Sequence, residues 1–300
     1  IKATDKGEMI KAFKANGVES PWYYIIAVGD SITKIKNKLS YPCIVKPTDN
    51  AGSRGVIIAM NEGELNDAIN YSRTEGRSGD VIIEEYLEGH EVSVEIIVVA
   101  GLVHILSITD KLTTGAPHFV ELGHNQPSTL SISEQEKIKD LAIRAVKAVG
   151  IEDGPAHVEI MLTKDGPKMI ELGARMGGDC ITTHLVPLST GIDMIEATIN
   201  ISLGVTPEIC PKFEKGSAIR FITPNPGYIK DITGLEDAKK SPGVKVVEVQ
   251  VGIGDKVTNI NSSLDRSGYI IAQGENALDA INKCENAIKK IEIYTENVVE

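Results

Sequence analysis

Apolar positions along the first third of the chain alternate between short continuous runs and helical spacing. The runs in "YPCIVKP", "GVIIAM", "DVIIEEYL" and "EVSVEIIVVAGLVHILSI" predict strands, with a turn at Gly101. Helical spacing predicts a helix over residues 5–16 that Gly17 ends, and a second helix over "EGELNDAINYSR". Strands and helices therefore follow one another from the beginning of the chain.

The spacing becomes helical again from residue 133 and then changes several times. Ser133 and Glu136 form a capping-box pattern, so we predict a helix that begins there and runs to Gly150. A hairpin follows over residues 157–173, then a helix over "DMIEATINISLG", short strands between prolines, the runs "GVKVVEVQV" and "GYIIAQG", and a final amphipathic helix, "NALDAINKCENAIKKI". This order predicts an α+β or mixed α/β fold, with a domain boundary near residue 205.

The hairpin carries one carboxylate in the middle of each strand, Glu159 and Glu171. A two-residue turn at Asp165-Gly166 would place them on opposite faces, because a shift of one residue turns every side chain over. A three-residue loop over residues 164–166, with Gly166 in the left-handed conformation, would set Glu159 directly opposite Glu171. We expect the three-residue loop. The apolar side chains that would then share the core face are Val158, Ile160, Leu162, Ile170 and Leu172.

Two opposed carboxylates repel each other, so this pair requires a positive charge between them. A divalent cation with Glu159 and Glu171 as hard oxygen ligands fits best, and the alternative is a solvated face that carries two unrelated acids. Arg175 favours the cation, because Mg²⁺ and a guanidinium together suit a phosphoryl group in transfer. His157, on the same strand face as Glu159, is either a third ligand or an ordinary partly buried histidine.

A loop of small residues, "NAGSRG", follows the strand that contains Lys46 and Pro47. Backbone N–H groups in such a loop can hold phosphate oxygens, with Lys46 and Arg54 adding positive charge. The P-loop pattern is absent and most glycine loops are only turns, so the loop alone is a weak signal. The loop residues that we expect at a phosphate are Gly52, Ser53, Arg54 and Gly55.

Two further segments place polar residues outside a regular pattern. In "EEYLEGHE", a strand end with exposed main chain could hold adenine and Glu91 could hold a ribose, and the alternative is a charged connector. In "GAPHFVELGHNQP", residues His118, Glu121 and His124 lie in a stretch without periodicity. We interpret that stretch as a loop that lines a substrate pocket.

Composition limits the classes of partner. The 300 residues, 42% of them hydrophobic, suffice for a sizeable core and two or more domains. The net charge of −11 argues against a nucleic-acid binder but leaves room for a nucleotide. Four separated cysteines without CxxC spacing indicate reduced thiols, and neither a membrane span nor a signal peptide is visible. We therefore expect a cytoplasmic protein, and the start at Ile1 suggests the remainder of a longer one.

Taken together and in this order, the segments over residues 5–200 resemble the ATP-grasp superfamily of ATP-dependent ligases. The resemblance implies that Lys6 in "TDKGEMI" and Lys46 contact phosphates, and that "NAGSRG" is the mobile glycine-rich loop of the family. It also implies that Glu91 binds the ribose. The implied adenine hinge consists of Glu84, Glu85, Tyr86 and Leu87.

The resemblance also assigns a metal and a reacting group. It implies Mg²⁺, with Mn²⁺ as an alternative, bound by Glu159 and Glu171. Arg175 matches the arginine near the transferred phosphate, which makes Arg175 and Lys46 the expected catalytic residues. The family often has Asn where this chain has Gly173, so no third ligand is expected from that position. The residues expected to contact substrate are Glu121, His124, Arg175, Gly177 and Gly178.

The forms "ELGARMGGD" and "LVPLSTGID" are similar to the branch that contains L-amino-acid ligases, dapdiamide-type synthetases and carnosine synthase. This implies an ATP-grasp fold in which two α+β subdomains grip ATP over residues 1–204, the smaller one inserted at residues 31–91. Residues 205–300 would form a small C-terminal α+β domain. The N-terminal domain that usually precedes the ATP-grasp domain in this branch would be missing.

The implied activity is that of an ATP-dependent carboxylate–amine ligase, which forms an amide or peptide bond through an acyl phosphate and releases ADP and phosphate. Its substrates would be a small carboxylate and a small amine, both amino-acid-like, and we expect a homodimer without nucleic-acid or membrane partners. Two alternatives stay open. One is a purine-pathway ligase similar to phosphoribosylglycinamide synthetase, or a carboxylase component, on the same scaffold. The other is a nucleotide-binding module without turnover.

Overall fold

A computed structural model describes residues 1–50, 52 and 54–296, and the side chain of Lys34 also lies outside the description. Its α-helices are α1 (Lys6–Ala15), α2 (Glu62–Glu75), α3 (Ile132–Val149), α4 (Val186–Thr190), α5 (Met194–Ser202), α6 (Leu235–Lys239) and α7 (Ala277–Ile288). Helix α1 begins where the Asp5 carboxylate accepts a hydrogen bond from the Glu8 N–H, 2.8 Å away. No helix in the described part of the chain is long and apolar enough to cross a membrane.

The described residues form two compact units. The first unit comprises Ile1–Val103, Gly115–Phe119 and Ile132–Met176. The second unit comprises His104–Thr114, Val120–Ser131 and Gly177–Glu300, described up to residue 296. The predicted boundary near residue 205 and the predicted inserted subdomain over residues 31–91 stay predictions.

The first unit contains an antiparallel sheet of four strands. Their order across the sheet is β1 (Tyr23–Ile26), β4 (Val81–Glu85), β2 (Cys43–Pro47) and β3 (Ile57–Ala59). Strand β2 has a neighbour on each side and is buried along its whole length, so its Lys46 lies in an apolar setting. The buried side chains of the sheet and of helix α2 that form one core are Ile26, Cys43, Val45, Ala59, Leu65, Ala68, Ile69, Val81 and Ile83.

Three more strands of the first unit, β5 (His90–Val99), β8 (Gly154–Thr163) and β9 (Gly166–Gly173), pair in that order. Side chains alternate between the two faces of a strand, and here the alternation separates apolar from polar residues. Helix α3 packs against β8 and β9. The fully buried apolar side chains of the three strands include Val92, Val94, Val158, Ile160 and Leu172. The intervening positions carry Glu91, Ser93, Glu95, His157 and Glu159.

The second unit has two sheets. The larger one runs in the order β6 (Leu102–Thr113, in this unit from His104 on), β7 (Glu121–Gln126), β10 (Gly216–Phe221), β14 (Gly268–Gly274) and β12 (Val244–Val249). The smaller one consists of β13 (Lys256–Val257), β11 (Gly227–Thr233) and β15 (Glu292–Glu296). Helix α7 packs on β14 and β10 through small buried side chains, Ala280, Cys284 and Ala287.

The structure corrects two local predictions. Helix α3 begins at Ile132, so Ser133 lies inside its first turn and the predicted Ser133–Glu136 capping box is wrong. Strand β1 was not predicted, although its apolar run in "PWYYIIAV" lies between Pro21 and the turn-forming pair Gly29-Asp30. The other predicted strands and helices of the first unit are confirmed, with bounds that differ by a few residues.

Candidate active site

The two carboxylates of the β8–β9 hairpin lie directly opposite each other, as predicted. Glu159 pairs with Glu171 in the ladder, and both side chains are partly exposed. The turn is not the predicted one: Thr163 pairs with Gly166, so the loop consists of Lys164 and Asp165 only. The predicted three-residue loop is therefore wrong, although the pairing that it was meant to produce is present.

A bulge in β9 explains why Glu159 and Glu171 are paired although the loop has only two residues. The register shifts between Glu159 and Ile160, where Ile160 pairs with Met169 and Ile170 becomes the extra residue. The bulge adds the one residue that the short loop lacks. It also exchanges two apolar side chains, because Met169 is fully buried whereas Ile170, predicted to be in the core, is only half-buried.

Lys6 is the first cation at this carboxylate pair. As the first residue of α1 it is placed by the Asp5 cap, and its backbone N–H donates to Thr48 O at 2.8 Å. Its buried ammonium donates to Glu171 Oε1 at 3.1 Å and to Asn50 O at 2.6 Å. Lys6 therefore connects the second carboxylate to the entry of the glycine loop.

Lys46 is the second cation, and its partner is a carboxylate of the neighbouring strand. Its Nζ lies 2.6 Å from Glu84 Oε2, and both side chains are nearly inaccessible to solvent. Burial alone would lower the pKa of Lys46, but the carboxylates of Glu84, Glu171 and Glu159 outweigh burial and raise it. Lys46 is therefore a fully charged ammonium group within the electrostatic reach of the carboxylate pair.

The glycine loop is described in part. Ser53, one of the expected phosphate contacts, lies outside the described residues. Gly52 and Arg54 are exposed, whereas Gly55 is buried with a φ of +77° and its carbonyl accepts a hydrogen bond from Ser72 Oγ at 2.6 Å. A Cβ atom at Gly55 would lie 2.7 Å from Glu75 Cβ, so only glycine fits at this end of the loop.

The expected adenine hinge follows β4. Glu85 ends that strand, and its carboxylate accepts from Lys168 Nζ at 2.8 and 3.0 Å. Tyr86 lies with its ring centroid 6.3 Å from that of Phe119, and Leu87 and Glu91 are half-buried. The side chains of Glu84 and Glu85 are thus engaged by Lys46 and Lys168, and their backbone pairs within the sheet. The backbone beyond the strand, at Tyr86 and Leu87, is the part of the hinge that could meet a base.

Arg175 lies beyond the end of β9 and is exposed. Its Nη1 donates to Met176 O at 2.9 Å. A Cβ atom at Gly173 would lie 3.0 Å from Arg175 Cγ, so the glycine lets the arginine side chain lie against the backbone. Gly173 also stands directly opposite His157 in the ladder.

His157 is held between two carboxylates. Its Nδ1 lies 3.0 Å from Glu95 Oε2, and its Nε2 lies 3.3 Å from Glu159 Oε1. Burial by itself would lower the pKa of His157, but the two carboxylates raise it to about 10. Both ring nitrogens thus face a carboxylate, and no metal-holding group of three side chains among the described residues includes His157, which is a hydrogen-bonding partner of Glu159.

The predicted substrate loop around Glu121 and His124 is a strand. Both residues lie in β7, so the loop interpretation is wrong; His118 precedes the strand and is exposed. The prediction failed because Gly123 interrupts the apolar pattern of this strand. The glycine is needed where the backbone of β10 comes close, since a Cβ atom at position 123 would lie 2.6 Å from Ile219 O. The carboxylate of Glu121 lies 3.7 Å from Lys111 Nζ.

His124 is buried and belongs to a cluster with Asp179 and Arg266 in the second unit. His124 Nε2 lies 3.3 Å from Asp179 Oδ2, and Arg266 donates to both oxygens of Asp179 at 2.8 Å. The guanidinium of Arg266 lies 3.7 Å from the ring centre of Phe221. Burial would raise the pKa of Asp179, but its bonds to Arg266 and His124 hold it well below the usual range.

Gly177 and Gly178 precede this cluster. The carbonyl of Gly177 accepts a hydrogen bond from Thr182 Oγ1 at 2.9 Å, and that of Gly178 accepts from the Ile181 N–H at 2.8 Å. Asp179 and Cys180 then both have positive φ values, +49° and +60°, which non-glycine residues rarely adopt. The backbone turn therefore holds Asp179 in place by an uncommon conformation.

The donor set of the first unit fits a nucleotide with a divalent cation. Two buried ammonium groups and two opposed carboxylates lie together, the pattern that matches phosphate oxygens and a hard cation. No three His, Cys, Asp or Glu side chains of the described residues form a metal-holding group. At this position the described residues offer the two opposed carboxylates, Glu159 and Glu171, as ligands.

Glu95, Asp179 and Arg266 were not predicted as site residues. The signal for Glu95 was present, because "EVSVE" alternates polar and apolar positions and puts a carboxylate inside an apolar strand, as at Glu159. Asp179 and Arg266 gave no such signal, since they are 87 residues apart along the chain. Only the fold brings these two residues together.

Comparison with known families assigns the class of protein. Residues 39–183 match the family model of the ATP-grasp domain, and residues 220–296 match that of the L-amino acid ligase C-terminal domain 2. The chain thus contains an ATP-grasp domain and an L-amino acid ligase C-terminal domain, and the predicted fold class is confirmed. Its similarity to L-amino acid ligases and to carnosine synthase confirms the resemblance stated from the sequence.

Three relatives illustrate the similarity. The crystal structure of the L-amino acid ligase from Bacillus licheniformis superimposes with a TM-score of 0.83 at 27% identity, and covers 99% of this chain and 73% of its own. The L-arginine-specific L-amino acid ligase of Bacillus subtilis is 28% identical over 87% of this chain and 64% of its own length. Carnosine synthase 1 of Gallus gallus is 26% identical over a stretch that covers 56% of this chain and 19% of the length of that relative. The chain therefore spans less than two thirds of either curated relative.

Proposed function

We propose that this chain carries the ATP-binding and catalytic part of a carboxylate–amine ligase that joins amino-acid-like substrates. The observation that carries the proposal is the opposed pair Glu159 and Glu171, with the cations Lys6 and Lys46 beside it on one unit. The match of residues 220–296 to the L-amino acid ligase C-terminal domain 2 supports amino-acid substrates.

In the proposed reaction a carboxylate oxygen attacks the γ-phosphorus of ATP, and the bond to the β-phosphate oxygen breaks to release ADP. The amine nitrogen then attacks the acyl carbon, phosphate leaves, and the nitrogen loses a proton. Both steps move negative charge rather than demand a covalent group from the protein, so positioning and charge provide the catalysis. Mg²⁺ bound by Glu159 and Glu171 would supply positive charge against the phosphate oxygens.

The chain's own residues have distinct proposed roles. Lys6 and Lys46 bind phosphate oxygens, and Arg175 stabilises the charge that develops on the transferred group. The loop residues Gly52, Ser53, Arg54 and Gly55 would cover the phosphates and exclude water, which would otherwise hydrolyse the acyl phosphate. The segment from Glu84 to Leu87 would hold the base through its backbone, and Glu91 the ribose.

The second unit would provide the substrate contacts Glu121 and His124, joined by Gly177 and Gly178. We also propose the division into residues 1–204, with a smaller grip at 31–91, and 205–300. A cytoplasmic location, a homodimer and the acceptance of Mn²⁺ in place of Mg²⁺ belong to the same proposal. Its substrates are a small carboxylate and a small amine.

A screen of amino-acid pairs for ADP and phosphate release tests the proposal directly. We expect one or more pairs to stimulate release, with a dipeptide or amide of matching mass as product, and no product from Glu171→Gln under the same conditions. Stimulation by glycine with phosphoribosylamine, or by bicarbonate, would instead indicate the purine-pathway or carboxylase alternative. If the protein binds nucleotide but no amino-acid pair in the screen stimulates turnover, the ligase assignment is contradicted and a nucleotide-binding module is favoured.

A further inference from the structure

A line of buried polar contacts runs behind Glu159. Ser93 Oγ donates to Glu95 Oε1 at 2.8 Å, the Glu95 carboxylate lies 3.0 and 3.1 Å from His157 Nδ1, and His157 Nε2 lies 3.3 Å from Glu159 Oε1. Each link crosses between strands β5 and β8 or runs along one of them. The line therefore joins the interior of the first unit to one of the two proposed metal ligands.

Exposure increases along this line. The side chain of Glu95 is 0% exposed, that of His157 is 7% exposed and that of Glu159 is 24% exposed. Burying polar groups gives up hydration that apolar side chains do not have, so buried polar side chains need hydrogen-bond partners. The opposite face of the same strands is filled by Val94 and Val158. Packing alone gives no reason for Glu95 and His157.

The backbone fixes where the histidine ring can reach. Glu95 pairs with His157 and Ser93 pairs with Glu159 in the β5–β8 ladder, so the three polar side chains start from fixed, adjacent positions. On the other side, Gly173 stands opposite His157, and the Arg175 side chain occupies the space that a Cβ atom at Gly173 would take. From its position in the ladder the ring of His157 extends along the strand toward Glu159.

The other carboxylate has an equivalent partner. Lys6 donates to Glu171 at 3.1 Å, so each of the two opposed carboxylates has its own nitrogen partner within hydrogen-bond distance. Carboxylates that bind metals are commonly hydrogen-bonded by such outer partners, which set their orientation.

We propose that Glu95 and His157 are positioning residues that hold the Glu159 carboxylate in the orientation in which it binds a divalent cation together with Glu171. The inference rests on the proposed function, since it concerns the same metal site. His157 acts through Glu159, and Glu95 acts by fixing the ring of His157.

The test measures how much Mg²⁺ strengthens nucleotide binding. Calorimetric titrations with a non-hydrolysable ATP analogue, in Mg²⁺ and in EDTA, give a ratio of affinities for each protein. We expect His157→Ala to lower this ratio about tenfold, the lower limit of what loss of an outer partner does to metal affinity. The affinity in EDTA should stay within about twofold, because Lys46 and the loop remain in place.

Two further variants separate positioning from general destabilisation. His157→Gln keeps a hydrogen-bond donor at this position, so we expect the ratio of affinities to fall less than in His157→Ala. The glutamine variant also replaces the alanine variant in the test if the latter does not fold. Leu141→Ala removes a fully buried side chain of α3 and should lower the melting temperature without changing the ratio.

An unchanged ratio in a folded His157 variant would overturn the proposal, as would an equal fall in Leu141→Ala. A wild-type protein that binds the nucleotide equally in Mg²⁺ and EDTA would defeat the proposed metal site itself. The failure of the inference is thus distinguishable from the failure of the proposed function.

Discussion

Lys46 combines deep burial with a full charge, and proteins maintain that combination only where the charge has a partner. Glu84 is that partner, and the carboxylates of Glu171 and Glu159 add to its effect. A nucleotide that brought phosphate oxygens close to this ammonium group would meet a charge already held in place. The local charge, rather than the net charge of −11, decides whether a triphosphate is attracted.

We predict that Lys46→Ala weakens nucleotide binding about tenfold or more, because a charge-assisted contact is worth roughly 1.5–3 kcal/mol. Calorimetry on the folded variant checks this prediction. Cys43→Ala, in the same strand and also buried, is the matched control and should leave the affinity unchanged. Equal affinities for wild type and Lys46→Ala would remove Lys46 from the site.

Asp179 yields a prediction about pH. Its folded-state pKa lies below the unfolded value of about 3.9, because Arg266 and His124 favour the carboxylate over the opposing effect of burial. Its contribution to stability is therefore fully present above the unfolded pKa and is lost as the pH falls through the folded one. Asp179→Asn should destabilise the protein clearly at pH 7 and less at pH 3, as measured by urea unfolding.

The exposed substitution Asp67→Asn serves as the control for Asp179→Asn, and we expect little effect from it at either pH. A destabilisation by Asp179→Asn that is equal at pH 3 and pH 7 would mean that the Arg266–Asp179 contact contributes nothing that depends on ionisation.

Among the elements, the β8–β9 hairpin brings the proposed metal ligands together. Two features produce its register, a short loop and a bulge at Ile170, and each alone would put Glu159 and Glu171 on different faces. The pairing was predicted correctly, but through a three-residue loop over residues 164–166 that the structure does not have. The sequence did not reveal the bulge, since Ile170 is as typical of a regular strand as its neighbours.

Glu171→Gln should abolish turnover while the fold stays intact, because the amide keeps the shape of the side chain and loses the charge that holds the cation and Lys6. Phosphate release and the melting temperature, measured together, check both parts. Asp165→Asn removes a charge from the turn of the same hairpin and should leave turnover unchanged. Substantial turnover in Glu171→Gln would rule out this carboxylate as a required ligand.

The glycine loop offers a matched pair of substitutions. Gly52 and Gly55 both have positive φ values, +68° and +77°, so alanine at either position costs about 1–2 kcal/mol of backbone strain. Only Gly55→Ala adds a clash, with Glu75 Cβ at 2.7 Å, whereas no atom of the described residues outside the immediate chain neighbours lies within 4 Å of a Cβ atom at Gly52. Thermal unfolding should therefore show a larger loss for Gly55→Ala, and equal losses would mean that the loop end relaxes freely.

Strand β7 shows why some elements escape prediction. Gly123 and the short polar stretch around it read as a loop, yet the glycine is there because the backbone of β10 comes close to it. Likewise, the contact between Asp179 and Arg266 depends on strands that are distant in sequence. Local periodicity cannot report on either feature, since both arise only when separate segments meet.

At the scale of the whole molecule, each of the two compact units has its own buried core and its own buried thiol. Cys43 belongs to the core of the first unit and Cys284 to that of the second, and neither is exposed. Burial raises the pKa of Cys43 to about 11 and that of Cys284 to about 12, so both thiols react slowly with alkylating reagents in the folded protein. Each thiol therefore reports on the unfolding of its own unit.

All the proposed nucleotide and metal contacts lie in the first unit, so MgATP should stabilise that unit more than the second. Binding at 100 times the dissociation constant adds about 2.7 kcal/mol to the folded state that binds. In urea titrations followed by pulsed alkylation and mass spectrometry, we expect MgATP to shift the midpoint for Cys43 to higher urea and that for Cys284 by less. The exposed Cys210 should label at every urea concentration and serves as the internal control. Equal shifts for Cys43 and Cys284 would show that the two units unfold as one cooperative body, and no shift for Cys43 would contradict nucleotide binding to the first unit.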